Sequence, residues 1–166
     1  MYFSNNEDRE KYIAEEVKIH RDAAACLPVL RKVATAFDGK VYNCRLQKAL
    51  HEAAPEGSPK MYTETGYRDQ VIIYIYNKGH QLTIAELSRE DMKDGKRINA
   101  EALIESARKH RESHLKTAYE LEQAAASAVQ TKAMIDGLKE QIRGIMKKIP
   151  YTIRDAYNID GNITCY

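Results

Sequence analysis

The sequence predicts an α+β protein that is mainly α: a helical hairpin or bundle with one very long C-terminal helix and a small antiparallel sheet of two or three strands. Three observations lead there. The run from Asn99 to Ile149 has no proline and only two glycines, Gly137 and Gly144, and carries an apolar or small residue every three or four positions. Val71 to Tyr76 is an uninterrupted run of β-branched and aromatic residues flanked by turn signals. Upstream of it, helical spacing recurs up to Pro55.

The long segment dominates the reading. About fifty residues at ~1.5 Å each would span ~75 Å, whereas the mean helix in globular proteins is ~11–12 residues. Its seam runs through Leu103, Ala107, His110, His114, Ala118, Leu121, Ala125, Ala128, Ile135, Leu138, Ile142, Ile145 and Ile149, in steps of three and four with a break at Lys132. The N-terminal helices are too short to cover all of it. A second copy, a protein partner, or a kink at Gly137 or Gly144 must cover the remainder.

The 166 residues divide by pattern into N-terminal helices (1–54), a β meander (60–87), the long helix (99–149) and a short tail (150–166), together one domain. In the first part, Ser4 or Asn5 can cap a helix whose opening turn is acidic. Ile13, Val17, Ala24 and Leu27 mark its apolar side. Pro28 then either kinks it or opens a second helix. Leu30, Val33 and Phe37 continue the stripe to Gly39, a good stop. Asn43 reads as the cap of a short helix with Leu46, Ala49, Leu50 and Ala53 inward. Met61 to Thr65, Val71 to Tyr76 and Gln81 to Leu87 read as strands, and Asp94-Gly95 as a turn.

Composition narrows the function. Apolar residues make up 43%, enough for a core. The 26 basic and 24 acidic side chains nearly cancel, which weighs against a dedicated nucleic-acid binder. Three cysteines without a C-x-x-C pair fit a reducing cytoplasm rather than a disulfide framework. The longest apolar run is six residues, against ~20 for a membrane span. The expectation is a cytoplasmic protein with no membrane contact.

Catalytic motifs are scarce. Neither G-x-x-x-x-G-K-[ST] nor G-x-G-x-x-G occurs. His110 and His114 lie four apart on one helix face, the spacing of a metal-ligand pair, but Glu112 is not in the zinc-protease position. A third ligand would have to come from His20, His51, Cys26, Cys44 or a carboxylate, and a packed or basic surface explains the pair more simply. Cys44, beside Arg45 at a helix start with His51 two turns on, is the one thiol with a nucleophile's surroundings. It has no local signature. The reading is therefore non-catalytic, with no cofactor.

Binding residues are easier to nominate. Strand alternation puts Val71, Ile73 and Ile75 on one face and Ile72, Tyr74 and Tyr76 on the other. With Tyr62 and Tyr67, the tyrosine face could contact protein or stack bases, or simply hold its hydroxyls in water. Arg108, Arg111 and Lys116 form a basic patch, interleaved with glutamates in the manner of intrahelical pairing.

Val29 to Ala53, Arg97 to Ala124 and Ile149 to Ile159, about half of the chain, are similar in style to small proteins of bacterial phages, plasmids and integrative elements. The resemblance carries no catalytic motif and transfers no residue. It implies a protein that binds and blocks host defence machinery, anti-CRISPR proteins among such inhibitors, with a nucleoprotein complex as a conceivable target. A nucleic-acid-associated protein and a self-associating coiled coil, a homodimer through the long helix, are the rival readings.

Overall fold

A computed structural model describes residues 6–66, 70–77 and 79–148. The expected caps Ser4 and Asn5, Tyr67, Lys78 and the segment from Ile149 onward, with Pro150 and Cys165, lie outside them. The elements are helices α1 (Asn6–Ala24), α2 (Leu27–Phe37), α3 (Leu46–Ala53) and α4 (Ala100–Lys148), and strands β1 (Met61–Thr65), β2 (Val71–Asn77) and β3 (His80–Leu87). The mainly helical α+β class, the 49-residue C-terminal helix and the antiparallel sheet all match the expectation, with three strands in the order β1-β2-β3. The chain forms two compact units, Met1–Gln123 and Ala124–Tyr166.

Within the first unit, Pro28 lies in the first turn of α2, where its missing N–H costs nothing. The first of its two expected roles, a kink in a continuous helix, is thereby settled in favour of the second. Gly39 has φ +63°, and a Cβ there would approach Lys93 Cδ to 3.1 Å. Helix termination and this close approach both select glycine. Asn43 corrects the expectation: its side chain accepts the Cys44 N–H at 2.7 Å and opens a 3-10 turn (Asn43–Arg45), so α3 starts after Arg45 without a side-chain cap. Three residues intervene because the Tyr42–Arg97 bridge pins the backbone first.

The sheet shows a feature that simple alternation misses. β1 pairs with β2 in unbroken register, Met61 opposite Ile75 and Thr65 opposite Val71. Between β2 and β3 the register shifts at Ile73/Tyr74: Ile73 faces Ala85, but Tyr74 faces Thr83. Ile84 is the extra residue of a β-bulge. The bulge reconciles an odd spacing, since Leu82 and Leu87 would otherwise point to opposite faces. With it, Leu82, Ala85 and Leu87 line up with Ile75, Ile73 and Val71 on one buried face.

That face forms the core with Leu27, Leu30, Val33 and Ala34 of α2, Leu46 and Leu50 of α3, Ile19 and Ala23 of α1, and Leu103 and Ala107 of α4. The Asp94-Gly95 turn has positive φ at both residues, 53° and 64°, and closes with Lys96 N–H donating to Lys93 O at 3.2 Å. Both signs are those of a type I′ turn.

α4 is capped twice. The Asn99 side chain accepts the N–H of Glu101 at 3.1 Å and of Ala102 at 3.5 Å. The Asp38 carboxylate, at the end of α2, accepts the Ala100 N–H at 2.8 Å and the Lys93 ammonium at 2.5 Å. These bonds, the Lys93 one foremost, hold the Asp38 carboxyl below the usual carboxylate range. Asn99→Ala is expected to cost ~1 kcal/mol of stability, the usual loss for an N-cap. Urea denaturation checks it, and an unchanged midpoint would show that Asp38 alone suffices.

In the second unit, α4 is helical through Gly137 and Gly144 up to Lys148. Neither glycine has an atom near the position of a Cβ. No kink marks them.

Candidate functional site

Both edges of the sheet are sealed by side chains. On β1, the Thr63 N–H donates to Gln47 Oε1 at 3.2 Å, and His51 Nε2 donates to Met61 O at 2.7 Å, both partners coming from α3. On β3, Ser106 of α4 accepts the Glu86 N–H and donates to the Glu86 carbonyl, each at 2.8 Å. His114 Nε2 donates to Thr83 O at 2.8 Å. Unpaired strand edges template unwanted pairing, and these bonds occupy several of the edge groups. They also assign roles to two of the histidines.

His114 does not join His110. Its second ring nitrogen, Nδ1, lies 2.9 Å from Nδ1 of His20 on α1, with ring centroids 5.2 Å apart. His110 Nδ1 instead faces Ser106 O of its own helix at 2.9 Å. With Nε2 donating to Thr83, neutral His114 presents a lone pair at Nδ1 and accepts from His20. Burial, mainly, and then the charges of His20 and His110 push the His114 pKa below the ordinary histidine value, against the opposing pull of the Thr83 carbonyl. The candidate pair His110 and His114 is thus split, and no cluster of three metal-ligating side chains occurs among the described residues.

The other proposed ligands are dispersed. Cys26 is buried in the core, its thiol pushed up to about 11 by burial and by Asp22. Its Sγ donates to Asp22 O at 3.4 Å. A protonated, enclosed thiol is neither nucleophile nor ligand. Cys44 is exposed and lines a shallow depression with Gln47, Lys48, His51, Glu52 and Thr63. His51 there is committed to the Met61 carbonyl and sets its ring edge against Tyr62.

The tyrosine face is arranged as alternation predicts. Tyr62 and Tyr74 are direct cross-strand partners, with rings stacked at 5.8 Å and 27°. Both are half-buried, and Tyr76 is 60% exposed. Their neighbours on this face are acidic: Glu64 and Glu86 flank Ile72 on either side, and Gln70 hydrogen-bonds the Glu86 carboxylate. Arg108, Arg111 and Lys116 lie on the exposed side of α4. Arg108 reaches Glu105 at 3.5 Å and Lys116 reaches Glu120 at 3.8 Å, the intrahelical pairing that the sequence suggested.

A longer run of exposed apolar side chains lies elsewhere. In the second unit Val129, Met134, Ile135, Leu138, Ile142 and Ile145 are all exposed, Leu138 by 51% and Ile145 by 61%. In the first unit the same helix buries Leu103, Ala107 and Ala118. The α4 seam therefore changes from covered to open along its length. No helix among the described residues is long and apolar enough to cross a membrane. No family model, no curated protein and no solved structure matches this chain.

Proposed function

We propose that this is a non-catalytic protein-binding protein whose principal contact surface is the apolar face of α4 in the second unit. One observation carries the reading: the large apolar side chains Met134, Ile135, Leu138, Ile142 and Ile145 stand exposed on one side of a single helix. Contiguous exposed apolar surface marks interaction sites, and a helix stripe of this kind reads as a row of anchors. The stacked tyrosines on the open sheet face add a second, smaller surface of the composition favoured at interfaces. The resemblance to mobile-element proteins supplies a partner class, a host defence complex, and no contact residue.

The nucleic-acid alternative has less support. Glu64 and Glu86 share the tyrosine face, and glutamates one turn away offset Arg108 and Lys116. Phosphate contacts require the opposite field.

The test is capture from nuclease-treated lysate with the full chain and with a Leu138→Lys, Ile142→Lys variant as bait. Protein retained by the first and lost by the second is the expected result. Equal retention by both baits would remove α4 as the surface. Loss of all bound material on nuclease treatment would replace the reading with nucleic-acid association.

A further inference from the structure

We infer that the occupant of the open α4 face is a second copy of the same helix, paired parallel and in register. The inference rests on the reading of that face as a protein-binding surface and names the protein. Its basis is a seven-residue repeat at positions that are exposed except for the half-buried Ala128. Ala128, Ile135 and Ile142 occupy one seam position of successive heptads, and Thr131, Leu138 and Ile145 the other. A 3.5-residue period fits only another helix lying along the first, because it is the supercoiled pair that keeps such a seam in contact. Ile135 followed by Leu138 is the pairing that favours two parallel strands, from which Ile145 at the second position departs.

The flanking charges select the direction. Lys132 and Lys139 follow the second seam position of successive heptads, while Ser127 and Met134 precede the first. In a parallel pair these two flanks meet, so Lys132 stands beside the partner's Ser127 and Lys139 beside the partner's Met134. No like charges are opposed, and the lysine stems cover apolar surface. A centred antiparallel pair would set Lys132 of each chain against Lys139 of the other, twice over. It would also stack the isoleucines on Thr131 and Ala128 and leave the layers uneven. The remaining charges stay out of the seam: Glu140 and Arg143 bond each other within the helix. Gly137 and Gly144, seven residues apart, fall on the outer side with open space around them. Glycine weakens an isolated helix, and pairing of the seam would offset that weakness.

Light scattering of the full chain over a concentration series gives the first answer. The expected mass is that of two chains at tens of micromolar, falling to one chain, 19.0 kDa, in the Leu138→Lys, Ile142→Lys variant, with the unfolding midpoint of the first unit unchanged. Direction is read from oxidation of Ala128→Cys, a seam position, in a Cys44→Ser, Cys165→Ser background. Rapid cross-linking of the pair is expected for parallel helices, whereas an antiparallel pair separates the two cysteines and would overturn the inference. A single-chain mass at every concentration would overturn it as well. In that event an apolar dye decides the underlying reading. A monomer that binds dye, and loses it in the double-lysine variant, keeps the face open for a different protein. A monomer that binds none removes both.

Discussion

Leu103→Ala is expected to destabilise the first unit by about 2–5 kcal/mol, the range for deleting a fully buried leucine side chain, and Leu138→Ala in the same helix by less than about 0.5 kcal/mol, as for other exposed sites. The two leucines share a helix and a seam pattern, so propensity does not separate them. Burial does. Leu103 is 0% exposed and belongs to the hydrophobic core. Its removal strips the neighbouring core side chains of dispersion contacts and leaves a cavity. Leu138 is 51% exposed, and alanine there even improves helix propensity slightly. Urea denaturation, with the slope held constant, measures both. The comparison must be made at low protein concentration, where pairing through α4 would not add its own stabilisation. A Leu103→Ala cost below about 1 kcal/mol would mean that α4 is not anchored where the core places it. A Leu138→Ala cost of several kcal/mol in the monomer would mean that the second half of the helix is covered within the chain.

Sequence periodicity carried most of this architecture because most of it is hydrophobic patterning. The strand Met61–Thr65 and the start of α4 after Asn99 fall where local chemistry put them, one bounded by turn residues and the other by a capping amide. The split of Val71, Ile73 and Ile75 from Tyr74 and Tyr76 follows from a period of two. What escaped was non-local. The bulge at Ile84 was written in the pattern Leu82, Ile84, Ala85, Leu87, but only pairing with β2 shows which residue is surplus. The Asn43 turn was hidden because Arg97, far along the chain, sets the backbone there through its bridge to Tyr42. The sealing of both sheet edges was also missed. On the β3 edge its signal was Ser106, His110 and His114 at intervals of four, on the side of α4 that should have been apolar. Two of these three meet backbone groups of a strand rather than side chains of a core. The spacing of His110 and His114 suggested a shared ligand, whereas the partner of His114 comes from α1.

The His20–His114 contact makes the first unit sensitive to mild acid. Neutral His114 satisfies both neighbours at once, donating to the Thr83 carbonyl and accepting from His20. Protonation would place a second N–H at Nδ1, facing a ring that is donating toward it, and a charge where burial resists one. The folded pKa is accordingly depressed below 6.5, the ordinary value that the unfolded chain keeps. The unfolded state therefore takes up the proton first. Stability is full above about pH 6.5 and falls as pH drops from there through the folded pKa, with a slope of at most ~1.4 kcal/mol per pH unit for one proton. Asp38 and Asp91 have lowered pKa values of the other kind, so their stabilisation is present above about pH 3.8 and is lost only in stronger acid. The windows do not overlap at their upper ends. Chemical denaturation at pH 7.5, 6.5, 5.5 and 5.0 should show the decline in the natural chain. His114→Gln retains an amide donor for Thr83 but cannot charge, so it should flatten the profile while costing ~1 kcal/mol at pH 7.5 for the lost imidazole hydrogen bond. Parallel profiles for the two proteins would show that His114 takes up its proton equally in both states, and the paired-imidazole account of α1, β3 and α4 would fall.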